Sequence, residues 1–451
     1  ANTTAANNVA VGDLALGANT TGTENTAVGT TANTAVTTGS NNTAVGYQAN
    51  ASVTTTSGNT AVGSHALQDN TGTSNTAVGG NALKNISTGA YSTAVGQNAL
   101  HTVTTGTKNT AVGQGALYSA TSSNGVAMGY GAGENVTTGN ANTFIGYESG
   151  KQITTVSDLV AVGFKALTAN TSGVHNTAVG AYAGDAVTTG QKNTAVGYGS
   201  LTTATGSSWN TAIGYAALGD VGGAGHNTCI GYAAGTAMST GEDNTIVGGS
   251  AGANVTTGTR NVLLGASAGN SGTLLTTGGG NIVIGIAART SSQTVNNEIV
   301  MGDQVTGTGN QTFVFGDGVT DTNCSMGGTT WANPSDERIK EEIEDEVVGL
   351  SFINDLRPRT FRYRKEKDIP EALNAHVAGS EKRYKTDKYE HGFVAQEVKE
   401  AIDKHNLKDG FDMWAEDLSD GRQRVGPAAV IPMLIKAIQE LSAEVEKLKG
   451  D

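Results

Sequence analysis

The sequence predicts a mainly β protein in which a β-solenoid, or β-roll, of about 17-residue repeats precedes a small α+β domain that ends in a helix. Three observations lead to this prediction. A short motif returns at a nearly constant spacing through the first three quarters of the 451 residues, glycine reaches 64 residues while aromatic residues make up only 5%, and charged residues concentrate in the last quarter. Such a pattern is typical of stacked turns and not of an ordinary globular domain.

The motif Asn-Thr-Ala-Val-Gly defines the repeat. It occurs unchanged from Asn25, Asn42, Asn59, Asn75, Asn109, Asn176 and Asn193. Its last residue, the marker glycine, recurs in close variants at Gly12, Gly29, Gly46, Gly63, Gly79, Gly96, Gly113, Gly129, Gly146, Gly163, Gly180, Gly197, Gly214, Gly231, Gly248, Gly265, Gly285, Gly302 and Gly316. Thr and Val favour extended backbone, whereas Gly suits the positive φ of tight corners and Asn tolerates it. Each repeat therefore predicts one coil of a solenoid, with the number of strands per coil left open.

Both residues before the marker glycine are apolar. The nearer one is large, as in Val28 and Ile145, and its predecessor is usually Ala but becomes Ile246 and Leu263 near the end. Since successive side chains of a strand point to opposite faces, we expect both faces to be buried. One face would fill the coil, and the other would meet neighbouring chains around a shared, most simply threefold, axis. Small alanines would let the chains approach closely, and the larger late residues would mark a wider base. The alternative is a monomeric solenoid whose own loops cover the second face.

Composition excludes several classes of function. Residues 1–334 carry 14 acidic and 7 basic side chains and residues 335–451 carry 26 and 20, so no basic face predicts a nucleic-acid partner. There is no apolar stretch near 18 residues, which argues against membrane insertion. The seven histidines lack metal-ligand spacing, and two cysteines, Cys229 and Cys324, make no disulfide framework. We expect no metal and no cofactor, and the sparse acids of residues 1–327 offer no glycan-cleaving pair.

Tyrosines follow several marker glycines, namely Tyr47, Tyr147, Tyr198 and Tyr215. They would be exposed on the solenoid, where they could form a receptor surface. We favour a ladder of stacked rings, because equivalent positions of successive coils lie close together.

The composition changes after Gly327. Trp331-Ala332-Asn333-Pro334 breaks the repeat, and Ser335 opens a charged stretch with Ile339, Ile343, Val347 and Leu350 on one side, which predicts a helix that Leu356-Arg357-Pro358 ends. Strands are predicted at 360–364 and from His391, and a second helix contains Val398, Ala401 and Ile402. The tail has a heptad seam that predicts a coiled-coil helix with symmetry mates, at Ile431, Leu434, Ile438, Leu441, Val445 and Leu448.

Two resemblances follow from these motifs. Over residues 8 to about 316, the Asn-Thr-Ala-Val-Gly strands and the Ala-Leu pairs after them resemble the head repeats of trimeric autotransporter adhesins and related repeats of phage tail fibres. The last part resembles the endosialidase-type intramolecular chaperone domain of phage tail spikes and fibres, through four motifs: Ser335-Asp336-x-Arg338-x-Lys340, Leu356-Arg357-Pro358, Gly392-Phe393-Val394-Ala395-Gln396-Glu397-Val398 and Ile431-Pro432-x-Leu434-Ile435-x-Ala437-Ile438. This resemblance implies a trimerising chaperone that releases itself by serine-type autoproteolysis with Ser335 and Lys340.

The chemistry of these two residue types fits that implication. A serine hydroxyl becomes a nucleophile when a base takes its proton, and a lysine can be that base. The resemblance places the cut at Ser335-Asp336, but attack of Ser335 on its own carbonyl would need a four-membered ring. Attack on the carbonyl of Pro334 passes through an easier five-membered ring, and a serine from a neighbouring chain is a third possibility.

The functional prediction combines a fibre with a removable assembly aid. Residues 1–327 would be the shaft, 328–335 the linker and cleavage region, and 336–451 the chaperone. We expect a homotrimeric tail fibre or similar virion appendage that attaches to a glycan or protein receptor of the host surface. Its only enzymatic activity would be one self-cleavage, with no other substrate. The alternative is a bacterial adhesin at the cell surface that keeps its C-terminal domain as a permanent cap. Because the sequence opens in mid-pattern, we expect an anchoring part to precede it.

Overall fold

Two units, Ala1–Pro334 and Ser335–Asp451, make up the chain in the computed structural model, which describes residues 4–219, 222–326, 337–407, 413–416 and 421–450. The predicted linker and cleavage region, 328–335, lies outside the described residues. The predicted domain boundaries around it therefore stay a prediction.

The first unit is a β-solenoid, as the repeat predicts, and the structure gives it one short strand per coil. Strands β1 to β19 pair in parallel, each with the next, so that equivalent motif positions lie side by side, as for Ala27 and Ala44. Strand β20 pairs antiparallel with β19 at the end of the stack. The bounds are Val9–Val11 (β1), Thr26–Val28 (β2), Thr43–Val45 (β3), Thr60–Val62 (β4), Thr76–Val78 (β5), Thr93–Val95 (β6), Thr110–Val112 (β7), Val126–Met128 (β8), Thr143–Ile145 (β9), Val160–Val162 (β10), Thr177–Val179 (β11), Thr194–Val196 (β12), Thr211–Ile213 (β13), Thr228–Ile230 (β14), Thr245–Val247 (β15), Val262–Leu264 (β16), Ile282–Ile284 (β17), Ile299–Gly302 (β18), Thr312–Gly316 (β19) and Asp321–Ser325 (β20).

The inward row, the residue two positions before each marker glycine, fills the coil. Ala44 and Leu263 in this row are fully buried. The prediction that these alanines let neighbouring chains approach is therefore wrong. The physical reason is that large side chains such as Leu67 and Leu83, four residues after a marker glycine, enter the narrow coil from the opposite wall and leave little more than a methyl group of space.

The outward row, the residue directly before each marker glycine, points away from the coil. Val45, Val95 and Ile213 remain 36% to 37% exposed. The rest of the single chain covers this row only in part, so the shared axis and the alternative of a self-covered second face both stay predictions. A continuous apolar row is left on the surface of the single chain.

Marker glycines are required by the close stacking of the coils. Gly163 has φ +140°, and a Cβ there would lie 2.3 Å from the carbonyl oxygen of Gly180 in the next coil.

Leucines also adopt positive φ, including Leu67 at 53° and Leu83 at 50°. The left-handed region costs a leucine roughly 1–2 kcal/mol, which burial and backbone hydrogen bonds such as Leu67 N–H to the Ala82 carbonyl (3.0 Å) offset.

The motif asparagines form a buried ladder, a role that turn propensity does not predict. The Oδ1 atom of Asn227 accepts the backbone N–H of Asn244 at 3.0 Å, and its Nδ2 donates to the Gly241 carbonyl at 2.9 Å. The positive φ instead falls on the residue before the asparagine, as in Trp209. The buried members of this asparagine row are Asn25, Asn42, Asn59, Asn75, Asn109, Asn142, Asn176, Asn193, Asn210, Asn227, Asn244, Asn261 and Asn281.

Glu298 ends the asparagine row. Its side chain is fully buried, and its backbone N–H donates to Asn281 Oδ1 at 3.0 Å. Its carboxylate accepts the backbone N–H groups of Gly309 (2.8 Å) and Ser291 (3.0 Å). The carboxylate thus satisfies two backbone donors and the Ser291 hydroxyl (3.3 Å) where the regular ladder stops.

The second unit is a small α+β fold. Its elements are α1 (Leu350–Asp355), β21 (Arg359–Phe361), β22 (Glu390–Gly392), α2 (Ala395–Lys404), β23 (Trp414–Glu416), β24 (Gln423–Val425) and α3 (Ile431–Gly450), with 3-10 turns at Glu337–Ile339, Glu366–Asp368 and Pro427–Val430. Antiparallel pairs join β21 to β22 and β23 to β24. The core packs Phe352, Leu356, Val398, Ala401, Ile402, Met413, Val430 and Met433 together. The predicted second helix is confirmed as α2.

The predicted first helix is wrong over 340–349. This stretch is irregular, Glu342 has φ +53°, and only Leu350–Asp355 forms an α-helix. Five carboxylates lie between residues 341 and 346, and like charges at helical spacing repel each other. The apolar periodicity of Ile343 and Val347 therefore does not produce a helix. The strand predicted at 360–364 is also shifted, to 359–361.

Helix α3 has one covered face and one exposed seam. Met433 and Ala437 are buried, and Glu440 Oε2 accepts the backbone N–H of Leu350 at 2.7 Å, which ties α3 to α1. The six seam residues named in the sequence remain exposed, from 40% at Leu434 to 78% at Leu448. Their association into a coiled coil stays a prediction. Within the described part of the chain, no helix combines the length and hydropathy needed to cross a membrane.

Candidate functional site

The predicted cleavage residues lie at the start of the second unit. Pro334, Ser335 and Asp336 fall outside the described residues. Lys340 follows the 3-10 turn Glu337–Ile339, its backbone N–H donates to the Glu337 carbonyl at 3.1 Å, and its side chain is exposed. The Ser335–Lys340 dyad and the scissile bond therefore stay predictions.

An ion pair joins the second and third motifs. The Arg359 guanidinium contacts the Glu397 carboxylate through two nitrogens, with Nε to Oε2 at 2.8 Å, and Arg357 Nη1 lies 3.6 Å from the same carboxylate. The hydrogen bonds from Arg359 lower the pKa of Glu397 below its ordinary value. Glu397 thus has a positioning role, because it ties the strand after Pro358 to the first turn of α2. Glu397 and Arg357 belong to the motifs found in the sequence, whereas Arg359 was not predicted, although it directly follows Pro358 of the second motif.

A second polar cluster joins the ends of α1 and α2. Asp355 accepts from Lys404 Nζ at 2.7 Å and contacts His405 Nε2. The hydrogen bond from Lys404, followed by that from His405, lowers the pKa of Asp355. The His405 ring also packs edge-on against Phe352, with 5.5 Å between centroids. Helix α2, whose first turn belongs to the third motif, is therefore held by polar contacts at both of its ends.

The second unit contains a cavity of about 1000 Å³. Aromatic side chains and basic groups dominate its lining, and no carboxylate belongs to the lining among the described residues. The lining residues are Phe361, Tyr363, Leu373, Tyr384, Lys385, His391, Gly392, Phe393, Val394, Ala395, Gln396, Gly421, Arg422, Gln423, Arg424 and Val425. The sequence pattern does not predict this cavity, because its lining comes from five separate segments.

The solenoid carries the predicted aromatic ladder. Successive ring centroids lie 5.2 to 5.8 Å apart through Tyr130, Tyr147, Phe164, Tyr182, Tyr198, Tyr215 and Tyr232. The stacking prediction is confirmed for Tyr147, Tyr198 and Tyr215, whereas Tyr47 packs edge-on against His65. Contacts between rings of successive coils stabilise the solenoid. Tyr147, Tyr198 and Tyr215 nevertheless remain 43% to 52% exposed, so the alternative of a receptor surface stays open.

Comparison with known proteins identifies the second unit more closely. A search of curated proteins and a search of solved structures each find no significant match to the chain. Residues 335–407 match the sequence profile of the Peptidase S74 family, chaperone of endosialidase. The matched segment contains the first three motifs, the Arg359–Glu397 pair and part of the cavity. This family consists of self-cleaving chaperone domains, so the chain joins a β-solenoid to a C-terminal intramolecular chaperone domain.

Proposed function

We propose that the chain is a homotrimeric fibre of a phage tail or similar virion appendage, which attaches to a host surface receptor. Its C-terminal domain drives trimerisation, sets the register of the three chains and then releases itself by serine-type cleavage near Ser335. The observation that carries the proposal is the chaperone-of-endosialidase match at 335–407, directly after a β-solenoid. No described feature identifies the receptor as glycan or protein.

The outward row supports the trimeric shaft. It places one apolar residue on the surface of every coil, and Val45 and Ile213 are more than a third exposed. Only a surface whose apolar residues repeat with the same rise per coil can cover such a row along its whole length. Two further copies in register supply that surface, and closed symmetry leaves no row uncovered.

Register is the reason for a separate chaperone. Nearly identical coils can pair one unit out of register with little loss in the middle of the shaft, so the register is best set from one end. The exposed seam of α3 is suited to bring three chains together at that end. Cleavage afterwards makes assembly hard to reverse, which gives the shaft kinetic stability.

The proposed cleavage needs one nucleophile and one base. The Ser335 hydroxyl oxygen attacks a backbone carbonyl carbon while neutral Lys340 Nζ takes its proton; the amine leaves with a proton, and water hydrolyses the resulting ester. A lysine serves as base only when deprotonated, and desolvation or nearby cations favour that form. Since the Lys340 side chain is exposed in the single chain, we propose that assembly removes it from water.

A denaturing gel of freshly expressed chain tests cleavage. Two bands are expected from the unmutated chain and one band from Ser335→Ala and from Lys340→Ala. Ser351→Ala and Lys388→Ala, exposed changes in the same unit, are the matched controls and should still give two bands. The N-terminal residue of the released piece, Ser335 or Asp336, distinguishes the two candidate bonds.

Sedimentation equilibrium tests the trimer. Ser335→Ala should sediment with three times the mass of one chain, whereas a folded single-chain particle would contradict the shared axis. An intact trimer from the unmutated chain would instead support the alternative, a cell-surface adhesin with a permanent cap.

A further inference from the structure

The last strand of the solenoid runs against all the others. Strands β1 to β19 pair in parallel, whereas β20 (Asp321–Ser325) pairs antiparallel with β19 (Thr312–Gly316), so that Val314 lies opposite Asn323. The chain thus turns back on its final coil instead of adding another one. Strand β20 therefore occupies the edge of β19 on which a further coil would stack.

The reversal also changes the chemistry at this end of the solenoid. Strand β19 carries Phe313, Val314 and Phe315, whereas β20 reads Asp-Thr-Asn-Cys-Ser and has no large apolar side chain. Val314 is the last member of the inward row and is fully buried. Since opposite residues of an antiparallel pair share one face of the sheet, Asn323 follows Val314 on the inner side. A polar strand thus covers an apolar end, as the terminal repeats of solenoids require for solubility.

A carboxylate holds the turn between β19 and β20. Asp317 Oδ1 accepts the backbone N–H groups of Val319 (3.1 Å) and Thr320 (2.7 Å), and the Thr320 hydroxyl donates to the same oxygen at 2.9 Å. The hydrogen bonds from Thr320 lower the pKa of Asp317. Gly318 has φ +80°, and a Cβ there would lie 2.9 Å from the carbonyl oxygen of Gln304, so the turn packs against the chain between β18 and β19. Specific contacts therefore fix the reversal.

The edge of β19 would be a pairing site if β20 did not cover it. An uncovered strand presents unpaired N–H and C=O groups to other chains. The β19–β20 pair shows that this edge accepts an antiparallel strand. In a second copy related by a twofold axis, β19 runs antiparallel to the first, so the same edge fits itself. The outer edge of β20 is a poorer pairing site, because it carries Asp321 and no large apolar side chain.

We propose that β20 and its turn form a terminal cap, which keeps two copies of the chain from joining end to end through β19. The excluded partner is a second copy, because β19 and its twofold mate have equal length, opposite direction and the same apolar residues. A cyclic trimer joined in this way would become a dihedral particle with twice as many chains. The inference goes beyond the proposed function and depends on neither the trimer nor cleavage. Since β20 ends at Ser325, the cap would stay on the shaft after a cut near Ser335.

The hydrogen-bond ladder shows which residues of β20 hold the cap in place. The backbone N–H of Met326 donates to the Gln311 carbonyl at 2.7 Å, next to the β19–β20 pair. Successive N–H groups of a strand point to opposite sides, so those of Thr322 and Cys324 also point to β19. The residues between them direct their N–H groups away from β19.

This alternation allows a matched test in the full-length chain. The cap variant is Thr322→Pro with Cys324→Pro, and the control is Asn323→Pro with Ser325→Pro. Proline lacks the N–H, so the cap variant loses hydrogen bonds to β19, whereas proline is tolerated where the N–H of an edge strand points outward. In sedimentation equilibrium we expect the cap variant to have about twice the mass of the unmutated particle, and the control to have an unchanged mass.

The size of the new particle decides the proposal. A mass that doubles and then stays constant would support pairing across a twofold axis. An unchanged mass of the cap variant would overturn the proposal, and so would equal doubling by the control. Growth beyond the doubled mass would also overturn it, because it would show association through other surfaces. A denaturing gel of the same samples reports self-cleavage separately, so a failure of the proposed function is distinguishable from a failure of the cap.

A milder pair of variants keeps the test decisive if the two prolines prevent folding. Asp317→Ala removes the acceptor that holds the turn, whereas Asp317→Asn keeps one acceptor oxygen. The Ala variant opens the cap more often, so it should form the doubled particle at a lower protein concentration than the Asn variant. No difference between the two variants over the same range of concentrations would overturn the proposal.

Discussion

The solenoid and the C-terminal unit bury their core side chains in different ways. Successive coils of the solenoid repeat similar contacts, so buried asparagines and small or apolar side chains form rows along much of the unit. The C-terminal unit has one core of eight buried residues, and single ion pairs such as Arg359–Glu397 hold its elements together. Repetition distributes stability along the shaft, whereas the C-terminal unit depends on a few individual contacts.

The two units also differ in what they leave exposed. The solenoid exposes one regular apolar row, which is suited to identical neighbours at any register. The C-terminal unit exposes the seam of α3 and the acidic stretch 341–346, each of which occurs once per chain. The difference teaches that the solenoid repeats one kind of surface along its length, whereas the C-terminal unit presents surfaces that occur only once.

Gly163→Ala should cause the largest loss of stability in the solenoid. The new Cβ would lie 2.3 Å from the Gly180 carbonyl oxygen at a φ of +140°. We expect a loss of about 4 kcal/mol or more in the free energy of unfolding, measured as the guanidinium midpoint by circular dichroism. Gly80→Ala is the matched control, since its Cβ would meet nothing within 4 Å, and it should change stability by less than about 0.5 kcal/mol. Equal effects would contradict the close stacking at marker glycines.

Asn227→Ala tests whether the asparagine row carries stability. It removes the acceptor for the Asn244 N–H and the donor to the Gly241 carbonyl, and leaves both buried groups unpaired. We expect a loss of about 3 kcal/mol in the same unfolding measurement. Asn227→Ser should cost less, because Ser92 occupies this row naturally and its Oγ accepts the Asn109 N–H at 3.3 Å. A Ser variant as unstable as the Ala variant would argue against the hydrogen-bond explanation.

Glu298→Ala tests the buried carboxylate that ends the asparagine row. It leaves the N–H groups of Ser291 and Gly309 without their carboxylate acceptors, so we expect a local loss of about 2 kcal/mol. Hydrogen exchange should become faster near residues 291–309 and stay unchanged near 177–196. Glu298→Gln retains one acceptor oxygen and should have a smaller effect at the same amides. Faster exchange along the whole solenoid would instead show that the coils unfold as one unit.

Acid should weaken the C-terminal unit through its individual ion pairs, with the smallest effect of the four. Arg359 lowers the pKa of Glu397 below the ordinary 4.5, so the ionised carboxylate is favoured in the folded state. The stabilisation is present above pH 4.5 and is lost as the pH falls through the lowered value. Glu397→Gln should lower the unfolding temperature of this unit at pH 7 and flatten its dependence on pH below 4.5. Glu400→Gln, an exposed change on the same helix, should keep the original dependence.

The pattern of the sequence predicted the solenoid well and the C-terminal unit less evenly. A 17-residue repeat has few ways to stack, so strands such as Thr26–Val28 were correctly placed. Helix α2 was predicted because Val398, Ala401 and Ile402 share one face. The helix expected over 340–349 failed because apolar spacing does not report the repulsion of five neighbouring carboxylates. The cavity could not be predicted because five separate segments of the chain form its lining. The predictions for Pro334, Ser335 and Asp336 stay untested, because these residues lie outside the described part of the chain.

The amino-acid sequence alone established the repeat, its coil length, the stacked tyrosines, and the family resemblance of the last part of the chain, because local periodicity and short motifs encode them directly. Folding in three dimensions was needed to show that the alanines face inward, that the asparagines form a ladder, and that Arg359 meets Glu397. These outcomes depend on the direction in which the chain turns after each strand, and on which elements that are distant in sequence pack together. Alternation along a strand says that two faces differ, but only the path of the chain around the coil determines which of them becomes the interior.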